Sequence, residues 1–255
     1  RECNKVVEYV VSTSSVGLTF TPGDIDWDRL VLLTITDASF SNEEDVVDGV
    51  LRPYRSQRGR LHFLCSHTLL EGAMQSPVHM IGFGSTLIKR VCRATLQAET
   101  YALQDGVENG FRLRALLAEI HDRLGDHEAF CPHLWLSDCA SLVQHLTANN
   151  GAKVADKRLG IEMESLRQPL EEKHDVLKWI DTSAMATDCM TKNMKPDQLL
   201  GILKHCRLDL RPTEASVRQK SQKQAQRART KDTEAPTSVI GNQLPEQVPA
   251  DDAEG

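Results

Sequence analysis

The 255-residue chain contains no run of about 18 apolar residues, the length that a membrane-crossing helix requires, which argues against a transmembrane protein. Its first residues, RECNKVVEYV, have neither an initiator Met nor the apolar core of a signal peptide, so the chain reads as soluble and as a piece of something longer. No Cys-x-x-Cys pair occurs. The seven cysteines (Cys3, Cys65, Cys92, Cys131, Cys139, Cys189, Cys206) are scattered and odd in number. That excludes a zinc ribbon and predicts reduced thiols in an intracellular protein, cytoplasmic or nuclear. Among nine histidines, His62 with His67, and His121 with His127 and His133, are the nearest approaches to a metal-binding set, but neither has a recognised ligand spacing. Most are predicted to be surface or core-edge residues. No Tyr-x-Asp-Asp segment is present, which argues against a polymerase.

An overall excess of positive charge is also missing. The formal net charge is −6. Between positions 211 and 231 there are seven Lys or Arg and one Glu; between 232 and 255 there are six acids and no base. The tail is therefore neutral in sum, and residues 1–210 carry the whole −6, an unusual balance for a nucleic-acid binder. Two local clusters run against it: Arg52, Arg55, Arg58 and Arg60, then Lys89, Arg90 and Arg93. With 40% hydrophobic residues the chain can bury one sizeable core, so one main domain is expected.

What the chain does have is four acids in suggestive places, Asp37, Glu99, Asp138 and Asp188, separated by 62, 39 and 50 residues. A pair of divalent cations needs several hard oxygen ligands in a small volume, and distant segments must supply them. LVLLTITDASF (30–40) reads as a strand with Asp37 near its exit, and the charged stretch 41–60 as a loop. Residues 61–66 and 78–84 read as two more strands, giving an antiparallel meander. From Thr95 the period becomes helical through Ala98, Ala102, Leu113, Leu116, Leu117 and Ile120, with Asn109-Gly110 marking a break into two helices. Glu99 falls in a first turn. HLWLS (133–137) is a strand; Asp138 follows it and opens a helix that stops at Gly151. Residues 156–172 form an amphipathic helix and 175–180 a last strand. Asp188 lies on a short helix, and 196–208 form another. The polar, Gln-rich stretch after Arg211 is read as disordered.

Each acid has a plain structural alternative. Asp138 suits a helix N-cap, Glu99 suits the positive end of a helix dipole, and Asp188 suits the surface. Asp37 is hardest to explain this way, because an acid in so apolar a strand needs a partner once buried. Trp135 and Trp179 are predicted to be core aromatics of adjacent strands.

Taken together, these segments resemble the ribonuclease H domain at the C-terminus of copia-type retrotransposon polyproteins. TDASFSN (36–42) is similar to that family's first-strand motif Ser-Asp-Ala-Asp-Trp-Ala, and LQAETYAL (96–103) to its Thr-Glu-Ala-Glu-Tyr helix. LWLSDCASL (134–142) is similar to the Cys-Asp-Asn-Gln-Ser strand exit, and KWIDTSAMATDCMTK (178–192) to the Ala-Asp-x-Leu-Thr-Lys ending. SQRGRLHFL (56–64) resembles the family's hairpin, DKRLGIEMESLRQ (156–168) its later helix, and NKVVEYVVSTSSVGLTF (4–20) the stretch that follows the reverse transcriptase thumb. All occur in the family's order. There are departures: Cys139 stands where Asn is usual, Thr187 where Ala is usual, and His62 where an aromatic is common. Many ribonucleases H carry a His in the loop before the last acid; residues 181–187 contain none, and His174 lies on the other side of the strand.

The resemblance implies an α+β, ribonuclease H-like fold. Its mixed five-stranded sheet would have three antiparallel strands, then two further strands, all flanked by helices. It implies a domain over 29–210, an upstream connector over 1–28 and a tail over 211–255. Asp37, Glu99 and Asp138 would bind two Mg²⁺, with Mn²⁺ able to substitute, and Asp188 would complete one site, for hydrolysis of the RNA strand of an RNA/DNA hybrid. Lys89, Arg90, Arg93, Lys153, Lys157 and Arg158 are the candidate phosphate contacts, since such contacts position a duplex without reading its sequence. The implied partners are the hybrid and an upstream reverse transcriptase in cis, with no membrane. A relic that keeps the fold as a nucleic-acid or protein binding module is the alternative.

Overall fold

The structure is a computed structural model describing residues 2–15, 17–47, 49–149, 154–172, 175–218 and 221–222. The chain divides into two units, Arg1–Thr213 and Glu214–Gly255; most of the second, and with it most of the expected disordered tail, lies outside the described residues.

The first unit is built on strands β1 (Leu30–Val47), β2 (Val50–Ser66), β3 (Gln75–Leu87), β4 (His133–Ser137), β5 (Asp175–Trp179) and β6 (Arg207–Asp209). Their order across the sheet is β5-β4-β1-β2-β3-β6. β1, β2 and β3 pair antiparallel, whereas β4 runs parallel to both β1 and β5. This is the ribonuclease H-like arrangement, carried by the strand order and directions. The described helices are α1 (Glu2–Ser12), α2 (Thr95–Ile120), α3 (His127–Phe130), α4 (Ala140–Thr147), α5 (Lys157–Glu171), α6 (Asp188–Thr191) and α7 (Asp197–His205). Among the described residues no helix is long and apolar enough to cross a membrane. All seven cysteines are free.

Both faces of the first half of β1 are buried, which explains its near-continuous apolar run. Val31, Leu33 and Ile35 pack with Leu61, Phe63, Leu134, Leu136 and Ile202 on one side. On the other, Leu30 and Leu32 meet Ala118 and Phe130, and Trp135 meets Leu103, Val107, Leu142, Leu159 and Met163.

Several expectations need correcting. The stretch 41–60 is not a loop: β1 and β2 continue as a two-stranded ribbon to the pair Val47↔Val50, with irregularities after Ser39 and Glu43. Charge concealed it, because a ribbon outside the core has no buried face to impose alternation. Asn109-Gly110 does not break α2, which runs unbroken for 26 residues. Gly110 is there for closeness: a methyl at that position would overlap the ring of buried His133, and one at Gly106 would overlap the Thr36 methyl. A sixth strand, β6, pairs with β3 where the end of a helix was expected. His62 and His133 are buried rather than at the surface, both hydrogen-bonded to the Thr34 hydroxyl, at 2.9 and 2.6 Å. Burial lowers both imidazoles, that of His62 to about 4 with the Arg60 charge adding to the effect, so they are neutral at ordinary pH. Trp135 is fully buried as expected, but Trp179 is 45% exposed.

A candidate metal centre

The parallel pairing of β1 and β4 ends at Ile35↔Leu136. Asp37 and Asp138 each stand two residues beyond that pair, so register alone brings them side by side just past the carboxyl end of β4, with Asp37 still inside the longer β1. Residues at such ends commonly form ligand sites in α/β sheets. Glu99 enters from α2, whose N-terminal half packs over β1. Oxygens of Asp37, Glu99 and Asp138 lie within 4.8 Å of one another, and no other group of His, Cys, Asp or Glu among the described residues is gathered in this way. Among the described residues, His62 and His67 join no such group, nor do His121 and His133.

Asp188 lies outside this trio and is tied to it by Lys192. The Lys192 Nζ stands 2.5 Å from Asp188 Oδ1 and 3.5 Å from Asp37 Oδ2. The Thr191 hydroxyl donates to Asp37 Oδ2. Gly59 makes this possible. It pairs with Asp37 across β1 and β2, and a Cβ there would come within 2.9 Å of both Met190 and Thr191, so α6 rests directly on the glycine. The Ser85 hydroxyl anchors the same turn by donating to the Met190 carbonyl at 2.5 Å.

The structural alternatives for Asp138 and Glu99 do not hold. Asp138 is not an N-cap: Cys139 precedes α4, and no side chain caps it. Glu99 is not in the first turn, which contains no acid; it is a buried residue of the second. One of its oxygens accepts from the Ala38 N–H while Oε2 has no partner. Burial first, then the charges of Asp37 and Asp138, push its carboxyl up to about 9. Burial likewise raises Asp138 against a hydrogen bond from Thr182, and raises Asp188 against its hydrogen bond to Lys192. Hard oxygen donors crowded in a partly buried site, with one buried oxygen unpartnered, fit a hard divalent cation.

No protein-family model matches the chain. Two Gag-Pol polyproteins of Saccharomyces cerevisiae, those of transposons Ty1-JR2 and Ty1-MR1, are each 27% identical to it over 161 residues, 63% of this chain. The chain spans 8% of the length of these relatives. Among solved structures, LC11-RNase H1 in complex with an RNA/DNA hybrid is 16% identical, with a TM-score of 0.41 over 66% of this chain and 99% of that one. The prototype foamy virus protease-reverse transcriptase is 10% identical, with a TM-score of 0.38 over 74% of this chain and 22% of its own.

The candidate phosphate contacts are less uniform. Lys89, Arg93, Lys157 and Arg158 are exposed, and Lys153 lies outside the described residues, as does His174. Arg90 is engaged already: it pairs with Glu162 at 2.9 Å and lies over the Tyr101 ring. It lines a groove of about 350 Å³ in which Arg58, Lys89 and Arg90 face Asp105, Glu108 and Glu162, so the groove carries no net positive charge. Arg58 and Arg60 both pair with Asp105.

Two contributors escaped the sequence reading. Lys192 could have been found, since positions i+3 and i+4 put Thr191 and Lys192 on the Asp188 face of a helix. Trp179, whose indole N–H donates to the Asp138 carbonyl at 2.9 Å and so fixes the backbone of that acid, had no such signal.

Proposed function

We infer that this chain contains the ribonuclease H domain of a copia-type retrotransposon Pol polyprotein, a two-metal endonuclease acting on the RNA strand of RNA/DNA hybrids. The observation that carries the reading is the convergence of Asp37, Glu99 and Asp138, with Glu99 Oε2 buried and unpartnered. Three crowded carboxylates destabilise a fold unless a cation or a proton neutralises them, so their convergence points to a site kept for binding. Similarity to the Ty1 Gag-Pol polyproteins supports the retrotransposon setting. In that setting the nuclease domain is 29–210, residues 1–28 connect it to an upstream reverse transcriptase in cis, and 211–255 form a tail. The protein acts inside the cell.

Asp37, Glu99 and Asp138 would hold the cations, and Asp188 would complete one of the two positions. Bound Mg²⁺ would supply an activated water for in-line attack and offset charge on the leaving 3′ oxygen. Trp179 holds Asp138 in place through its carbonyl, and Thr191 orients Asp37. Lys89, Arg93, Lys157 and Arg158 would contact phosphates and set the register of the duplex.

The test is cleavage of an end-labelled RNA/DNA hybrid by the 255-residue chain with Mg²⁺, Mn²⁺ or EDTA, beside Asp138→Asn. Metal-dependent cutting of the RNA strand that the substitution abolishes is the expected result. A folded protein that binds the hybrid without cutting it would replace this reading with that of a binding module.

A further inference from the structure

The reaction just described gives Lys192 no task, yet its ammonium lies among the ligands. It stands 2.5 Å from Asp188 Oδ1 and 3.5 Å from Asp37 Oδ2, while the Thr191 hydroxyl occupies the same Asp37 oxygen. The cluster is therefore lopsided. Its Asp37–Asp188 side already holds one ammonium against its two carboxylates, whereas the opposite side holds Glu99 with an unpartnered oxygen. A divalent cation between Asp37 and Asp188 and a lysine ammonium in the same place repel each other strongly at such distances. Lys192 can leave, since its side chain is 40% exposed and its four-carbon stem is flexible.

We propose that Lys192 is an internal counter-ion of the Asp37–Asp188 pair that competes with divalent metal, so that the two metal positions fill unequally. This rests on the carboxylate site described above. The position bounded by Asp37, Glu99 and Asp138 fills first; the one bounded by Asp37 and Asp188 fills only when Lys192 swings out. Lys192 is a positioning residue. It sets the affinity of the second position without being a ligand. The opposite role, in which Lys192 merely holds two carboxylates in a geometry that metal needs, makes the reverse prediction.

Calorimetric titration of Mn²⁺ into the 255-residue chain, with no nucleic acid present, separates them. In the wild type two binding steps of unequal strength are expected. If the lysine-filled arrangement is populated at about nine parts in ten or more, Lys192→Met tightens the weaker step about tenfold or more. Lys192→Arg, which keeps the charge, leaves it weak. Lys192→Gln, neutral and still able to hydrogen-bond Asp188, gives the same reading as Met and serves if the Met variant does not fold. Unchanged or weaker Mn²⁺ binding in the neutral variants overturns the proposal. Asp37→Asn distinguishes the two layers of argument. If it loses Mn²⁺ binding while the neutral Lys192 variants gain nothing, the site stands and the competition falls; if it binds as the wild type does, both fall.

Discussion

Replacing Glu99 with Gln should stabilise the protein when no divalent cation is present, by an amount that grows with pH. Glu99 is 5% exposed, and burial followed by the charges of Asp37 and Asp138 raises its carboxyl from 4.5 to about 9. Below pH 4.5 folded and unfolded chains both carry the proton. Between 4.5 and 9 the folded chain keeps a proton that the unfolded chain has released, so stability falls as pH rises, and the fall is complete above 9. At 1.36 kcal/mol per pH unit this amounts to about 3 kcal/mol at pH 7 and about 6 kcal/mol above pH 9. Gln has nearly the same shape and does not titrate, so it escapes the loss. For a chain of this size, about 3 kcal/mol corresponds to roughly 6–12 °C in Tm. The assay is thermal unfolding of wild type and Glu99→Gln in EDTA at pH 5, 7 and 9, reading the difference between them; titrations common to both proteins cancel. A second series with Mn²⁺ should raise the wild-type Tm more than that of the variant. A difference that stays constant from pH 5 to 9 would mean that Glu99 ionises as it does in water and is not crowded against Asp37 and Asp138.

Two further perturbations test the scaffold that brings the acids together. Gly110→Ala improves helix propensity by about 1 kcal/mol but forces a methyl into the ring of His133, which Thr34 holds in place; the net result should be a loss of about 2 kcal/mol in urea unfolding. An equal or more stable variant would show that α2 does not sit so close to the sheet. Arg114 and Asp175 form a buried ion pair at 2.6 Å between α2 and β5. Arg114→Met should cost about 3–5 kcal/mol by leaving a buried carboxylate without its cation, and adding Asp175→Asn should restore part of that. A double variant as unstable as the two single losses added together would show that the two residues do not interact.

Much of this protein follows from local pattern. The HLWLS strand ends where its apolar run ends, and Asp156 caps α5 by accepting from the N–H groups of Arg158 and Leu159, as Asp before an amphipathic run should. The order of strands and helices, and the suspicion attached to Asp37, come from the same periodicities, because alternation and the 3.6-residue repeat record which side of an element is buried. Other things depend on what meets across the fold. The ribbon at 41–54 has no buried side chain among its described residues, so its pairing left no apolar alternation to read. Gly110 is indistinguishable from a helix breaker until His133 is seen beneath it, and Gly59 shows its purpose only once α6 rests on it. The burial of Glu99 comes from the packing of α2 on β1, and the side-by-side placement of Asp37 and Asp138 from the parallel register of β1 and β4, which joins segments about 100 residues apart. A sequence names the acids and the order in which they come; distances of a few ångströms between charges, which decide whether they bind a proton, a lysine or a metal ion, exist only after the chain has folded.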